Sequence, residues 1–258
     1  MASVVEKRAS TDIRTAVSAP PREKTEPWTA EQVIEWGLRE FPGRISLASS
    51  FQAEESVIID LMAKVAKRTG LPFRVFMLDT GRLNQETYDL VDTIRERYGI
   101  IIEVFFPEVV KVQEMVRERG VNLFYRSVEN RVLCCDVRKV EPLRRALSSL
   151  DAWMTGLRRE QVVTRANAPK IEIDNANGGL VKLNPIADWK EAEIWKYVKE
   201  NALPYNALYD KGYKSIGCEP CTRAVEPGED PRAGRWWWEQ GTKECGLHFK
   251  HEGEPVGK

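Results

Sequence analysis

Short apolar runs alternate with amphipathic stretches along most of the chain. Thr29-Ala-Glu-Gln32 has the form of a capping box, and Val33, Ile34, Trp36 and Leu38 follow it. A helix is therefore expected up to Pro42-Gly43. Residues 44–48, Arg-Ile-Ser-Leu-Ala, read as a short buried strand. The polar turn Ser49-Ser-Phe-Gln-Ala-Glu-Glu-Ser56 runs into an apolar helix over 57–69. A second strand is expected over 73–78, ended by Asp79-Thr-Gly-Arg82, then a helix over 86–98 and a third strand over 100–106. A helix over 109–119 comes next. Cys134-Cys135 opens onto a helix over 136–150, followed by a fourth strand over 152–155 and a loop over 156–168. Residues 171–174 and 180–183 flank Asn177-Gly-Gly179, a hairpin signal. A helix over 188–201 is closed by Leu203-Pro204, and beyond Asn206 glycine, proline and charge dominate. Strands alternating with helices imply a single α/β domain with a mostly parallel sheet flanked by helices.

Composition narrows the setting. A chain of 258 residues can bury a full core without disulfide staples. Its 39 basic and 39 acidic residues cancel, so a polyanion-binding surface is not implied, while a local basic pocket remains open. No apolar run is long enough to span a bilayer. Residues 1–27 are rich in charge, serine and proline, lack the apolar core of a secretory signal, and read as a disordered or loosely attached tail. Five cysteines without such a signal point to a reducing cytoplasm.

The cysteines carry the strongest chemical signal. Cys134-Cys135 and Cys218-Glu-Pro-Cys221 make two clusters of thiols, and four thiolates hold either a structural zinc or an iron–sulfur centre. Adjacent side chains tend to point apart, which is awkward around one small ion. A cubane with iron at separate corners accepts both more easily, so the spacing leans to [4Fe-4S]. Lys139 stands one helical turn after Cys135. Cys245 is separate: Gly241 and Gly246 suggest an exposed loop, and Lys243 and His248 favour its thiolate. That environment fits a reactive thiol and an inert surface cysteine equally well.

The strand–loop–helix at Ser49–Ser50 has a geometry suited to an anion, although no Gly-Lys-Ser/Thr signature is present. Leu78-Asp-Thr-Gly81 closes the second strand along the same sheet edge, where α/β folds bind ligands. Arg158, Arg159 and Arg165 follow the fourth strand, and Arg232 and Arg235 precede Cys245. Guanidinium forks suit sulfate and phosphate oxygens, so together these arginines point to an anion site.

With these pieces assembled, the chain resembles the assimilatory adenylylsulfate (APS) reductases of the phosphoadenylylsulfate/adenylylsulfate reductase family. The motifs are Ser49-Ser-Phe-Gln-Ala-Glu54, Leu78-Asp-Thr-Gly-Arg82, Cys134-Cys-x-x-Arg-Lys139, Thr155-Gly-Leu-Arg-Arg-Glu-Gln161, Gly217-Cys-Glu-Pro-Cys221, Arg232-Ala-Gly-Arg235 and Glu244-Cys-Gly-Leu-His248. The resemblance implies an adenine-nucleotide α-hydrolase-like domain over 28–230 and a mobile C-terminal segment over 231–258. It implies that Cys134, Cys135, Cys218 and Cys221 ligate one [4Fe-4S] cluster with Lys139 nearby, and that Cys245 is the nucleophile, with His248 positioning the segment or substrate. Substrate would meet Ser49, Ser50, Phe51, Gln52 and Glu54, then Leu78, Asp79 and Thr80, then Gly156, Arg158, Arg159, Arg165, Arg232 and Arg235.

The expected reaction is reduction of APS to sulfite and AMP, in the cytoplasm, through an S-sulfocysteine. An external thioredoxin or glutaredoxin is the expected reductant, and a homo-oligomer the expected assembly. Reduction of the 3′-phosphorylated substrate (PAPS), alone or alongside APS, is the alternative. A tRNA-thiolating enzyme of the same fold lacks support, because its Ser-Gly-Gly-x-Asp-Ser loop is absent. A zinc- or iron–sulfur-bearing nucleic-acid binder is disfavoured by the zero net charge.

Overall fold

The computed structural model describes residues 18–240. Cys245 and His248 lie outside the described residues.

The apolar runs become a six-stranded sheet: β1 (Ile45–Ser49), β2 (Val75–Leu78), β3 (Ile102–Phe105), β4 (Ala152–Met154), β5 (Ile171–Asp174) and β6 (Leu180–Leu183), in the order β3-β2-β1-β4-β6-β5. Every neighbouring pair is parallel except β5–β6. The hairpin is present where Asn177-Gly-Gly179 places it. The Asp174 carboxylate accepts from the Asn177 amide at 3.2 Å, and Gly178 takes φ +77°, a conformation costly for any residue with a Cβ.

The chain leaves β1 towards β2 and β3 on one side, then returns to lay β4 on the other. Loops leaving β1 and β4 therefore diverge at their C-terminal ends, and such a switch point opens a crevice in doubly wound sheets.

Helices cover both faces: α1 (Arg22–Thr25), α2 (Ala30–Glu40), α3 (Ala53–Thr69), α4 (Gln85–Tyr98), α5 (Val109–Arg119), α6 (Val128–Cys135), α7 (Glu141–Leu147) and α8 (Glu191–Glu200). Helices α2, α3, α4 and α8 share the main core with the sheet. The other face packs Leu143, Ala146 and Leu147 of α7 on Phe76 and Trp153. A third, smaller core gathers Met115, Leu123, Phe124, Cys134, Cys221 and Trp236.

Three details differ from the sequence reading. The paired cysteines do not open a helix; they end α6, and a π turn over Asp136–Val140 joins it to α7. The described part of the expected tail is packed: Thr25 is buried and Glu26 pairs with Arg159. Residues 231–240, expected in the mobile segment, include the buried Arg235 and Trp236. Among the described residues no helix is long and apolar enough to cross a membrane.

Candidate active site

A cleft of about 440 Å³ opens at the C-terminal ends of β1, β2 and β4, where the switch point predicts one. Ser49, Ser50, Phe51, Gln52 and Glu54 form one wall, Leu78 and Thr80 a second, and Gly156, Arg158 and Arg165 a third. Lys139, Lys214, Arg232 and Arg235 line the remainder with Cys135, Cys218 and Cys221. Asp79 and Arg159 do not line it. Asp79 instead accepts from the Gly81 amide and the Tyr88 hydroxyl, and Arg159 binds the Ala168 carbonyl and Glu26.

The loop after β1 does not offer the open amides that its sequence suggests. Gln52 N–H donates to Glu55 Oε2 at 3.0 Å, Phe51 N–H to Ser49 Oγ at 3.2 Å, and Ala53 N–H to the Tyr209 hydroxyl at 3.2 Å. Ser50 Oγ donates to Glu55 Oε2 at 3.1 Å. The carboxyl of Glu55 thus replaces an external anion at the helix N-terminus. Phe51 is buried at φ +56°, a strained conformation that its surroundings enforce.

Burial, with Glu54 adding repulsion, pushes the Glu55 carboxyl up to about 7. A Cβ on Gly156 would stand 3.0 Å from Glu55 Cδ and 3.0 Å from Glu54 Cβ, so glycine alone lets β4's exit strand pass over these carboxyls. Arg158 Nε donates to Glu54 Oε1 at 3.0 Å, with both side chains almost wholly buried. Gln161 donates to the same oxygen and accepts from Arg165. This wall is a closed acid–base lattice, and Arg158 and Arg165 are committed to it.

The opposite end is basic. Arg235 Nη1 donates to the Ile216 carbonyl at 3.1 Å, and its guanidinium lies against Gly217, where an added Cβ would stand 2.5 Å from Nη2 and push the fork aside. Behind it, Cys134, Cys135, Cys218 and Cys221 surround one hole of about 30 Å³, together with Thr80, Arg82, Phe124, Arg131, Arg138 and Lys139. Thr80 Oγ1 lies 3.2 Å from Cys218 Sγ, and Arg138 holds the Thr80 carbonyl at 2.7 Å. Cys135, Cys218, Cys221 and Lys139 line both the hole and the cleft.

Burial and the neighbouring sulfurs push the Cys221 thiol far up; burial also raises Cys134, against the pull of Arg138. Among the described residues no three His, Cys, Asp or Glu side chains are grouped as ligands of a single ion. The thiols surround a space rather than a point. Four soft donors around one buried, cation-rimmed space fit a group bound through several separate metal corners.

Sequence reasoning missed Glu55, Gln161 and Tyr209 in the acidic wall, and Arg131 beside the thiols. Gln52-x-x-Glu55 is itself a capping-box pattern and could have exposed Glu55. Tyr209 arrives from a distant loop and has no local signal.

The phosphoadenosine phosphosulfate reductase domain model matches residues 44–224. An adenosine 5′-phosphosulfate reductase of Burkholderia cepacia is 53% identical over 207 residues, spanning 80% of this chain and 81% of its own. One from Allochromatium vinosum is 51% identical over 205 residues, spanning 79% and 78%. The crystal structure of a phosphoadenylyl-sulfate (PAPS) reductase from Candida auris, a phosphate complex, superposes with a TM-score of 0.67 at 29% identity, covering 79% of this chain and 94% of that one. The domain match encloses β1 to β6 and all four clustered cysteines, the elements that build the cleft and the hole behind it. On that ground the chain belongs to the phosphoadenosine phosphosulfate reductase family.

Proposed function

We propose that the chain reduces adenylylsulfate to sulfite and AMP, a step of sulfate assimilation. The observation that carries this reading is the charge partition of one cleft: beneath Gly156 acids and arginines offset one another, whereas beside the thiols lysines and arginines gather. A nucleotide with neutral ribose hydroxyls and an anionic phosphosulfate matches it end for end. The names of the bacterial relatives support the same substrate.

Lys139, Lys214, Arg232 and Arg235 hold the phosphosulfate oxygens, where fixed cations stabilise charge developing on the phosphate. The wall of Ser50, Gln52 and Glu55 faces the uncharged part of the substrate. Glu55, once ionised above about pH 7, repels a 3′-phosphate, which favours APS over its 3′-phosphorylated form there. Cys245 thiolate attacks the sulfate sulfur. The sulfur–oxygen bond to AMP breaks, and its electron pair leaves on the phosphate, so no strong general acid is required.

The S-sulfocysteine is then attacked at the Cys245 sulfur by a thioredoxin thiolate, and sulfite departs with the bonding pair. The second thioredoxin thiol resolves the mixed disulfide. The dithiol supplies both electrons. Cys134, Cys135, Cys218 and Cys221 would hold a [4Fe-4S] cluster, whose contribution is to fix the two cysteine loops and set the charge beside Lys139. Lys139 then presents its ammonium to the cleft from the wall that the thiols build.

Cys245→Ser tests the nucleophile. The variant retains APS binding and shows no mass increase corresponding to a sulfo group in intact-mass spectra, whereas the parent chain shows one. A sulfo adduct on the Cys245→Ser protein would overturn the assignment.

A further inference from the structure

Arg131 is absorbed neither by the cleft nor by the thiols' role as ligands. Its Nε donates to Glu239 at 3.1 and 3.3 Å and its Nη2 at 2.9 Å, a two-pronged grip between side chains only 11% and 10% exposed. The guanidinium also lines the hole that the four thiols surround, and it stacks 4.6 Å from the Trp236 ring centre. A planar fork grips the carboxylate with two N–H groups while its face meets the ring, and an ammonium could not do both.

The residues it grips are otherwise pinned. Trp236 is buried at φ +43°, its N–H donates to the Cys221 carbonyl at 3.1 Å, and Thr222 bridges to Arg235. The Glu239 N–H closes the turn on the Trp236 carbonyl at 2.9 Å. Glu239 precedes Cys245 by six residues (245 − 239). A chain of that length reaches at most about 20 Å. Where Glu239 is held therefore bounds where the Cys245 sulfur can go.

We propose that Arg131 is a positioning residue for the thiol: one guanidinium in the wall of the four-cysteine hole grips the root of the segment that delivers Cys245. The inference rests on Cys245 being the nucleophile. Releasing Glu239 and unpinning the chain back to Arg235 lengthens the tether from six residues to ten (245 − 235). Dilution alone then lowers the thiol's effective concentration about two-fold, and loss of orientation lowers it further.

The full chain, purified with its iron, is compared with Glu239→Gln and Arg131→Lys. Amide hydrogen exchange over residues 235–239 needs no substrate and is expected to speed up in both variants, with iron and inorganic sulfide content kept. Single-turnover sulfonation of Cys245 is expected to slow at least about two-fold, while the dissociation constant for APS stays within two-fold. Unchanged exchange together with unchanged sulfonation overturns the proposal. So does a rate loss matched by an equal loss of APS affinity, which would place these residues in the binding cleft. If the parent chain forms no sulfo adduct, the nucleophile assignment fails, and exchange alone still decides whether Arg131 anchors Glu239. Should one variant not fold, the other carries the test.

Discussion

Glu55 holds a proton that the unfolded chain would release. Its carboxyl ionises near 7 rather than near 4.5, because burial strips its hydration and Glu54 stands beside it. The folded state therefore binds this proton more tightly than the unfolded state. The stability it contributes is complete below about 4.5 and is lost as the pH rises through about 7. The gap is worth roughly 3 kcal/mol. Glu55→Gln keeps an acceptor for the Gln52 amide but cannot ionise. It should melt above the parent at pH 8 and together with it at pH 4. An equal offset at both pH values would mean that Glu55 is not protonated in the folded protein. At pH 8, where Glu55 is ionised, the same substitution lowers the repulsion that excludes a 3′-phosphate. The ratio of kcat/KM for APS over the 3′-phosphorylated substrate should fall about ten-fold, a change of about 1.4 kcal/mol in transition-state energy.

Helix α3 and the exit of β4 show where sequence and structure part. Adjacent arginines follow Thr155-Gly156, and side-chain type alone assigns both to the anion. Alternation along an extended exit sends them to opposite sides. Arg158 enters the buried pair with Glu54, while Arg159 reaches the half-exposed Glu26. Arg158→Ala strands a buried carboxylate and should destabilise the fold by about 3–5 kcal/mol. Arg159→Ala should cost no more than about 1 kcal/mol. Urea unfolding of the two variants at pH 7 separates these outcomes, and equal losses would contradict the assignment.

The strands were legible because buried parallel strands read as short apolar runs, as in Arg44-Ile-Ser-Leu-Ala48 and Phe73-Arg-Val-Phe-Met-Leu78. The thiol clusters were legible from spacing. Helix α6 was not: it is eight residues long, buries only Cys134, and its period is broken by the following π turn. The satisfied amides of the β1–α3 loop were obscured for another reason. Glu55 is local, the N3 partner of a capping box overlooked among its polar neighbours, whereas Tyr209 acts through tertiary placement, 156 positions from Ala53.

At the scale of the whole molecule, the protein has a large core built on the sheet and a small one built on sulfur. The main core runs continuously from Ala30 to Leu203 and draws on β1 to β6. The small core has six buried residues, two of them cysteines, and it packs the end of α6, the cysteine loop and the chain around Trp236. So few apolar contacts do little to hold residues 123–135 and 218–240 by burial alone, and burial disfavours the thiolate form of Cys221 and Cys134. Binding of the proposed cluster would then contribute folding energy to this lobe in particular. Removing the proposed cluster with chelator and oxidant should expose amides over residues 123–135 and 218–240 to rapid exchange. Amides of β1, β2 and β4 should keep their protection, and far-ultraviolet circular dichroism should fall only slightly. A single cooperative loss of all protection would mean that the two cores are one folding unit. Unchanged protection in the lobe would mean that the thiols hold it without metal.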